Sequence, residues 1–347
     1  VSIVADNVEI RNIKNVMIKM NNKMRFKLLY DKNNSLTKKI KLEQSKNKWS
    51  YFIEFEKMRK FIILFPVYND WKSLWRLCEE IDDQVKDLDA NFSLLFVNDA
   101  STEKKINFES NLNKINSIKI INMKKNHLSG RCIATGLQYI SKKEEFDHVI
   151  VMDSDGEDKP EYIIEIFKKT LNFPNKTIVA TRFRRNENIF YKFLYEVHKI
   201  VTLIFTGKLI KFGNFVCLPK SHVEDLINQG SLWNSFSATI VKIVKEKISI
   251  KTDRGKRYYG PSKTSYYKLF YHSFTIMSVF KKTILLRSSI ISIIYIFLIY
   301  QNVTFAKLIP FFFLSIFLSM IFTVSRRENL DELKNSLENI EGIETLK

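Results

Sequence analysis

The strongest chemical signal in the sequence is a run of acidic residues that directly follows a short apolar segment. Asp153, Asp155, Glu157 and Asp158 come immediately after the apolar segment at 148–152. Carboxylates this close repel one another unless a cation compensates their charge. Ligand sets made only of oxygen favour Mg²⁺ or Mn²⁺ over Zn²⁺. We therefore predict a site for one of these ions at Asp153 and Asp155. The alternative is a solvated acidic turn that caps the next helix.

Polar residues also follow two earlier apolar segments. Asp99 follows the segment at 92–97, and Pro66, Tyr68 and Asn69 follow the segment at 61–65. A carboxylate at the end of a strand can accept hydrogen bonds from a nucleobase or a ribose, and a tyrosine can stack on a base. These residues indicate a nucleoside site, whereas the alternative for Asp99 is a cap on the next turn.

Two basic clusters indicate contacts with phosphate. Arg182, Arg184 and Arg185 follow the apolar segment at 177–180, where guanidinium groups can pair with a diphosphate. The alternative for them is a solvated surface. The second cluster consists of Arg254, Lys256, Arg257 and Lys263. It precedes an amphipathic segment, which favours contact with a lipid phosphate, either as a substrate or as bulk anionic lipid.

These polar residues follow apolar runs that alternate with helical patterns. The runs lie at residues 61–65, 92–97, 118–121, 148–152 and 177–180, and helical spacing is found at 71–88, 130–140 and 161–171. Strand and helix in alternation predict an α/β fold with a doubly wound, mostly parallel sheet. Ligands bind such sheets beyond the carboxyl ends of the strands, where the polar residues fall. The sequence contains no G-x-G-x-x-G and no P-loop motif, which disfavours dinucleotide and P-loop sites.

The C-terminal part differs from the rest of the chain because it contains long apolar stretches. Residues 288–306 and 308–325 are two uncharged stretches, each long enough to cross a bilayer, and 266–287 is amphipathic like an interfacial helix. Basic residues flank the pair of stretches but not the link between them, so we predict a transmembrane hairpin with both ends in the cytoplasm. The location predicted is a membrane, the inner membrane if the source is bacterial, with the catalytic domain cytoplasmic. An apolar core hairpin is the alternative, and 326–347 is expected to be a charged cytoplasmic tail.

Composition limits the remaining possibilities. The 347 residues are 45% hydrophobic and 27% charged, which excludes a disordered or collagen-like chain, and the net charge of +19 favours anionic partners. The basic residues cluster near the apolar stretches rather than along an aromatic strand face, so we expect no nucleic-acid binding. Three cysteines argue against a disulfide framework. Alternating runs at 24–30 and 49–55 indicate a small β-rich appendage over residues 1–58, and a catalytic domain is expected over 59–265.

Several ordered motifs between residues 61 and 268 together resemble a known enzyme family. Residues 65–70 read FPVYND, 97–102 read VNDAST, 153–160 read DSDGEDKP, 213–215 read GNF and 257–263 read RYYGPSK. Asn126, Arg131, Ala134 and Gly136 complete the pattern. The sequence is similar to family 2 glycosyltransferases with the nucleotide-sugar-binding GT-A fold. With its C-terminal apolar stretches it resembles polyprenyl-phosphate sugar transferases and dolichyl-phosphate mannose synthase.

The resemblance implies roles for particular residues. It implies nucleotide-sugar binding by Pro66, Tyr68, Asn69, Asp99, Arg131, Asp153 and Ser154. It implies catalysis by Asp153, Asp155, Asp158, Arg182 and Arg185, and an acceptor side made of Asn214, Arg257, Ser262 and Lys263. Asn98, Ala100 and Leu128 depart from the family pattern at the nucleoside loops. The expected reaction is inverting transfer of a sugar from a nucleoside-diphosphate sugar to a polyprenyl phosphate.

Two other functions remain open at this point. One is transfer of the same donor sugar to a glycan hydroxyl; Asn214, which stands where some relatives carry Asp, disfavours it because an amide is no general base. A phosphate monoester, with a second pKa of about 6, is already anionic at neutral pH. The other is a non-catalytic scaffold that binds anionic membrane through its charge and retains a degenerate sugar site.

Overall fold

A computed structural model describes residues 2–5, 8–11, 17–20, 24–27, 56–106, 112–184, 189–260 and 266–347. The chain divides into two compact units, Val1–Arg59 and Lys60–Lys347. The first unit contains two small antiparallel sheets. They are formed by β1 (Ser2–Ala5) with β2 (Val8–Arg11), and by β3 (Met17–Met20), β4 (Met24–Lys27) and β5 (Glu56–Lys57). The run expected at 49–55 lies outside the described residues.

An eight-stranded mixed sheet forms the centre of the second unit. Its strands are β6 (Arg59–Val67), β7 (Ala90–Asn98), β8 (Ile115–Met123), β9 (His148–Val151), β10 (Thr177–Arg184), β11 (Phe212–Pro219), β12 (Lys247–Asp253) and β13 (Ile340–Thr345). Their order across the sheet is β12-β10-β11-β9-β6-β7-β8-β13. β11 is antiparallel to both of its neighbours and β13 is antiparallel to β8, whereas β6 with β9, β7 with β8, and β10 with β12 are parallel.

Helices cover both faces of this sheet and extend beyond it. They are α1 (Trp71–Val85), α2 (Ser129–Lys143), α3 (Tyr162–Asn172), α4 (Ile189–Thr206), α5 (Lys220–Ile227), α6 (Phe236–Ile243), α7 (Tyr266–Ser278), α8 (Lys281–Ile299), α9 (Phe305–Ser325) and α10 (Leu330–Lys334). Short 3₁₀ helices lie at Gly230–Trp233 and Ser336–Asn339. The mostly parallel α/β architecture expected from the alternating runs is confirmed.

The central strands are apolar on both faces because each face has its own core. Along β6, Phe61, Ile63 and Phe65 point toward α1 and α3, while Ile62 and Leu64 pack against α2. Successive side chains of a strand point to opposite faces, so a strand that is buried on both sides reads as a continuous apolar run. β6 also continues through Pro66 to Val67, beyond the apolar segment at 61–65. The register with β9 covers residues 61–64, so Pro66 lies past the paired part on that side of the strand.

Two helices in the described part of the chain are long and apolar enough to cross a membrane. One is α8, which has a mean hydropathy of 1.8 and 11% of its most apolar 18 residues buried. The other is the helix that begins at Phe305, which has a mean hydropathy of 2.2 and 17% of such residues buried. The segment expected to be one interfacial helix over 266–287 is divided, because α7 ends at Ser278 and α8 begins at Lys281. Apolar residues of α6, α7, α8 and α9 form a third buried cluster that joins these helices to the domain.

The segment expected to be a charged tail instead folds onto the domain. Leu333 of α10 is fully buried in the core beside α2. β13 then pairs with the edge strand β8 from Ile340↔Met123 to Thr345↔Lys119. The residues of β13 alternate between half-buried and exposed, as is typical of an edge strand with one face on the core. The charged residues of β13 hide this alternation in the sequence.

Candidate active site

The acidic turn after β9 is held in shape by the loop that follows β12. Gly156 has a φ of +85°, and a Cβ atom there would lie 2.4 Å from the ring of Tyr258. The amide of Tyr258 donates to the carbonyl of Asp155 at 3.0 Å, and that of Gly255 donates to the carbonyl of Glu157 at 2.8 Å. Only glycine adopts this conformation without strain, so Gly156 allows the close approach of the two loops.

Asp153 and Asp158 form one half of the turn. The Asn214 amide group donates to Asp153 Oδ1 at 3.0 Å, and the Asp153 backbone N–H donates to Asp158 Oδ2 at 3.1 Å. Arg182 contacts the other Asp158 oxygen at 3.4 Å. Because β11 runs antiparallel to β9, its first residues lie at the carboxyl end of β9, and this brings Asn214 to Asp153. Burial, followed by the charge of Asp153, raises the pKa of Asp158 to about 6.

Asp155 forms the other half of the turn and faces a guanidinium group. Asp155 Oδ1 accepts from the amide of Glu157 at 3.0 Å, and Oδ2 lies 3.0 Å from Arg257 Nη1. Arg257 also donates to Asp70, just before α1. Burial raises the pKa of Asp155 to about 7, with further contributions from the charges of Asp153 and Glu157. Arg257 thus provides the positive charge that these carboxylates require.

The two carboxylates fit a divalent cation that takes its remaining ligands from phosphate and water. Within the described ranges, no group of three or more His, Cys, Asp or Glu side chains is arranged to hold a metal ion. Asp153 and Asp155 offer oxygen ligands only, and Mg²⁺ in enzymes is usually bound by one or two carboxylates plus substrate phosphates. A cation bound at Asp155 Oδ2 would take the position on that oxygen that Arg257 now holds.

His272 is a residue that the sequence motifs did not single out. It lies on α7 and is exposed. Desolvation by the surrounding protein lowers the pKa of its imidazole, and the negative charge of the Asp153 carboxylate opposes that shift. The sequence signal was weak, because the residue lies in an amphipathic segment far along the chain from residues 153–158.

On the nucleoside side, the polar residues mainly fix the loops that they belong to. Asp99 is buried, with Oδ1 accepting from the His127 amide at 2.6 Å and Oδ2 from the Leu128 amide at 2.9 Å. The Asn69 side chain accepts from the amides of Thr102 and Glu103 at 2.8 and 3.0 Å. Direct contact of Asp99 with a nucleobase therefore stays a prediction, while its observed partners are backbone amides.

An open cavity lies beside these loops. Its volume is about 260 Å³, and it is lined by Asn69, Asp70, Trp71, Lys72, Glu103, Lys104, Ile106, Arg257, Tyr259 and Gly260. Tyr68 is 42% exposed at the end of β6, where a ring face is accessible to a ligand. Pro66 and Ser154 are buried beneath this surface.

The structure brings six of the fifteen sequence-predicted site residues together. They form two sets of contacts at the carboxyl edge of the sheet: Asp153 and Asp158 with Asn214 and Arg182, and Asp155 with Arg257. Arg131 lies apart from both sets, with its guanidinium 4.8 Å above the ring of Trp233 and 3.7 Å from Glu332. Arg185, Ser262 and Lys263 lie outside the described residues, so their roles stay predictions.

Comparisons with known proteins agree with this architecture. Residues 62–233 match the family model described as glycosyl transferase family 2. The undecaprenyl-phosphate 4-deoxy-4-formamido-L-arabinose transferase of Proteus mirabilis is 26% identical over 62% of this chain and 66% of its own length. The enzyme of the same name from Photorhabdus laumondii is 24% identical with the same coverage. The chain thus spans just under two thirds of the length of these relatives.

A solved structure resembles the fold at a greater distance. Mannosyl-3-phosphoglycerate synthase from Rubrobacter xylanophilus is 12% identical, with a TM-score of 0.48 over 66% of this chain and 74% of that one. The sheet order, the acidic turn after β9 and the matched family domain lead to one conclusion. Residues 62–233 form a domain that matches glycosyl transferase family 2.

Proposed function

We propose that this protein is a membrane-anchored inverting glycosyltransferase that moves a sugar from a nucleoside-diphosphate sugar to a polyprenyl phosphate. The observation that carries the proposal is the pair of carboxylates Asp153 and Asp155, which contact Asn214 and Arg257, respectively. They lie on a domain that is joined to two apolar helices. The names of the two bacterial relatives support a polyprenyl-phosphate acceptor.

The donor is assigned to the edge of the sheet between β6 and β9. A nucleoside would occupy the cavity beside Asn69 and Tyr68, and its diphosphate would extend toward Asp153 and Asp155. A divalent cation held by these two carboxylates would supply positive charge for the pyrophosphate leaving group. Arg182 lies 3.4 Å from Asp158 and is the second source of positive charge at this edge.

The acceptor is assigned to a phosphate monoester because of the residue at position 214. Asn214 contacts Asp153 with its amide group and has no basic site that could take a proton from a hydroxyl. A phosphate monoester is already an anionic nucleophile at neutral pH. One of its oxygens would form a bond to the anomeric carbon on the face opposite the leaving group. The bond from that carbon to the diphosphate oxygen breaks, and the nucleoside diphosphate leaves with the electron pair.

We assign α8 and α9 to the part of the chain that crosses the bilayer. Their exposed side chains are large and apolar, as at Ile293, Phe297 and Phe312, which are 66%, 73% and 63% exposed. Such a surface is unfavourable in water, and lipid would cover it. Because β13 pairs with β8 after both helices, the chain returns to the side of the catalytic domain, as a hairpin requires.

A donor-binding experiment tests this proposal. Protein purified in detergent is screened by thermal shift against a panel of nucleotide sugars with Mn²⁺ or Mg²⁺. A ligand present at about 100 times its Kd should stabilise the fold by about 2.7 kcal/mol. We expect one nucleotide sugar to raise the melting temperature in a metal-dependent way. No stabilisation by any member of the panel would contradict the proposal and favour a non-catalytic scaffold.

A further inference from the structure

A chain of hydrogen bonds joins the C-terminal strand to the loops around the proposed nucleoside cavity. Glu344 lies on β13, and Asn122 and Asn98 lie on the next two strands of the sheet, β8 and β7. The Asn122 side chain donates to Glu344 Oε1 at 2.7 Å, and the Asn98 side chain donates to Asn122 Oδ1 at 2.8 Å. Asn98 and Asn122 are partners in the parallel register of β7 and β8, so the sheet itself holds them side by side.

The same chain continues from the end of β7 into two loops. Asn98 Oδ1 accepts from the Ser101 amide at 3.1 Å, and Ser101 Oγ accepts from the Asn69 amide at 2.9 Å. Asn69 Oδ1 accepts in turn from the amides of Thr102 and Glu103 at 2.8 and 3.0 Å. Asn69 and Glu103 line the cavity of about 260 Å³ that we assign to the nucleoside. A continuous series of hydrogen bonds therefore runs from β13 to the wall of that cavity.

The backbone of these loops needs support, because two of its residues adopt a left-handed conformation. Asn69 has a φ of +52° and Ala100 has a φ of +54°. Residues other than glycine rarely adopt such angles, and alanine has no polar side chain that could stabilise them. Strained conformations of this kind persist where the surrounding structure fixes them. The hydrogen bond from the Ser101 amide to Asn98 spans Ala100, so the chain helps to hold this turn.

Glu344 also contacts the second loop directly. The Lys105 ammonium group donates to Glu344 Oε2, and Lys105 follows Lys104, which lines the same cavity. The hydrogen bonds from Lys105 and then Asn122 lower the pKa of Glu344, so its carboxyl group is ionised at neutral pH. An ionised carboxylate has no proton to donate, so Glu344 acts as an acceptor toward both partners.

The charge of Glu344 fixes the direction of every hydrogen bond in the chain. Because the carboxylate only accepts, Asn122 turns its NH₂ group toward Glu344 and its carbonyl oxygen toward Asn98. Asn98 must then donate to Asn122 while it accepts from Ser101, and its side-chain amide has one group for each task. Asn98→Asp would keep the acceptor for Ser101 but remove the donor to Asn122. Asn98 and Glu344 are therefore matched to each other.

We propose that Glu344 is a positioning residue for the donor: through Asn122 and Asn98 it fixes the loops that line the nucleoside cavity. The strand that follows the apolar helices thereby sets the affinity of the enzyme for its nucleotide. This inference rests on the proposed function and extends the donor site to a residue beyond 62–233, the part that matches the family model.

Nucleotide binding to single variants is the first part of the test. The full chain, purified in detergent, is titrated calorimetrically with uridine, guanosine, cytidine, thymidine and adenosine diphosphate in the presence of Mn²⁺. The diphosphate that binds the wild type most tightly is then used for the variants. We expect Asn98→Asp and Glu344→Ala to weaken binding by about tenfold each, the scale of one hydrogen bond to a charged group. Glu344→Gln, which still accepts from Asn122, should stay within about threefold of the wild type.

The second part is the double variant Asn98→Asp with Glu344→Gln, in which the chain can run in the opposite direction. The new side-chain amide at position 344 can donate to Asn122 Oδ1, and the Asn122 amide can turn and donate to the carboxylate at position 98. We expect the double variant to bind within about threefold of the wild type, because the two changes compensate each other. Asn98→Asp carries the same carboxylate at position 98, so the recovery cannot come from its charge.

The matched control is Glu341→Ala, which removes an exposed carboxylate from the same strand and should bind the nucleotide as the wild type does. Melting temperatures show whether each variant is folded during the titration. If Asn98→Asp and Glu344→Ala melt earlier but bind like the wild type, β13 only stabilises the fold and the inference is wrong. If the double variant binds as weakly as Asn98→Asp, the hydrogen-bond chain does not set affinity. Either result leaves the proposed function intact, whereas a wild type that binds no nucleoside diphosphate would overturn both.

Discussion

At the scale of single residues, Asp155 and Arg257 form an ion pair that the proposed donor binding would change. Arg257 bridges Asp155 and Asp70, and both contacts are largely buried, with side-chain exposures of 14% for Arg257, 18% for Asp155 and 11% for Asp70. A cation held by Asp153 and Asp155 would compete with the guanidinium for Asp155. Arg257 would then be available to bind phosphate at the same edge of the sheet.

Replacing Asp155 tests this role directly. We expect Asp155→Asn to lower turnover by about 10²-fold or more, because loss of one electrostatic group at a developing charge has that scale. Initial rates at saturating donor measure the change, and isothermal titration with Mn²⁺ should show weaker metal binding. The control is Glu161→Gln, an exposed acidic residue just beyond the turn. Wild-type rates in Asp155→Asn after chelation of metal would contradict the assignment.

Gly156 provides a second prediction, which concerns the shape of the turn. Its φ of +85° and the Tyr258 ring, 2.4 Å from where a Cβ atom would stand, leave no room for a side chain. We expect Gly156→Ala to destabilise the fold by about 1–3 kcal/mol, measured by denaturant unfolding. Gly130→Ala is the matched control, since no atom lies within 4 Å of its Cβ position and it is helical. It should be neutral or stabilise by up to about 1 kcal/mol. Equal stability of the two variants would show that the turn is not constrained.

The sequence predicted the placement of residues better than their partners. Asp153 and Asp155 could be placed at the edge of the sheet because they follow an apolar strand, whereas Asn214 was identified only through the family resemblance. The Arg257 contact with Asp70 joins residues 187 positions apart, and no local pattern reports such a pair. Asp99 shows the same limit, since a carboxylate after a strand suits a nucleobase and a backbone amide equally well, and only the position of residues 127–128 decides between them.

At the scale of elements, α10 and β13 attach the C-terminal segment to the sheet domain, and we call these two elements the clasp. α10 packs against α2, and Glu332 accepts from the indole of Trp233. β13 covers the edge of β8, and Glu344 accepts from Asn122 at 2.7 Å, while Asn122 accepts from Asn98 at 2.8 Å. Through Asn122, the clasp thereby helps to fix Asn98, which begins the loop after β7 and departs from the family pattern.

Leu333 tests the strength of the clasp. It is fully buried, so Leu333→Ala should destabilise the domain by about 2–5 kcal/mol, measured by thermal or denaturant unfolding in detergent. Leu346→Ala is the control, because that side chain is 42% exposed and should contribute little. If both variants unfold like the wild type, α10 is not part of the core.

The elements that the sequence predicted well are those with long uniform patterns. β6, β7, β8, β9 and β10 are apolar on both faces, and α1, α2 and α3 follow with helical spacing. β11 and β13 were not anticipated, because the direction of a strand is set by where its chain enters the sheet and not by its side chains. β13 in particular contains only two large apolar residues, Ile340 and Ile343, among polar and charged ones, which also suits an exposed tail.

At the scale of the whole molecule, the sheet would constrain the path of the chain through the proposed bilayer. β13 follows α9 and pairs with β8, so the segment after the apolar helices lies on the side of the catalytic domain. The link at Gln301 and Asn302 is exposed and lies between the two helices. A hairpin through the membrane therefore places that link alone on the opposite side.

Single introduced cysteines can report this topology. The native thiols of Cys78, Cys132 and Cys217 are buried, and burial raises their pKa values, so they should react slowly in the folded protein. In sealed vesicles, we expect a membrane-impermeant maleimide to label Asn302→Cys and Glu341→Cys from opposite sides. Labelling of both from the same side would show that α8 and α9 do not span the membrane.

The most direct test of the whole account is product analysis with the purified protein in vesicles that contain polyprenyl phosphate. With radiolabelled nucleotide sugar and Mn²⁺ or Mg²⁺, we predict that lipid-linked sugar phosphate and free nucleoside diphosphate appear in equal amounts, and that Asp155→Asn abolishes both. Label that enters only polysaccharide, or nucleoside diphosphate released without any lipid-linked sugar, would contradict the account.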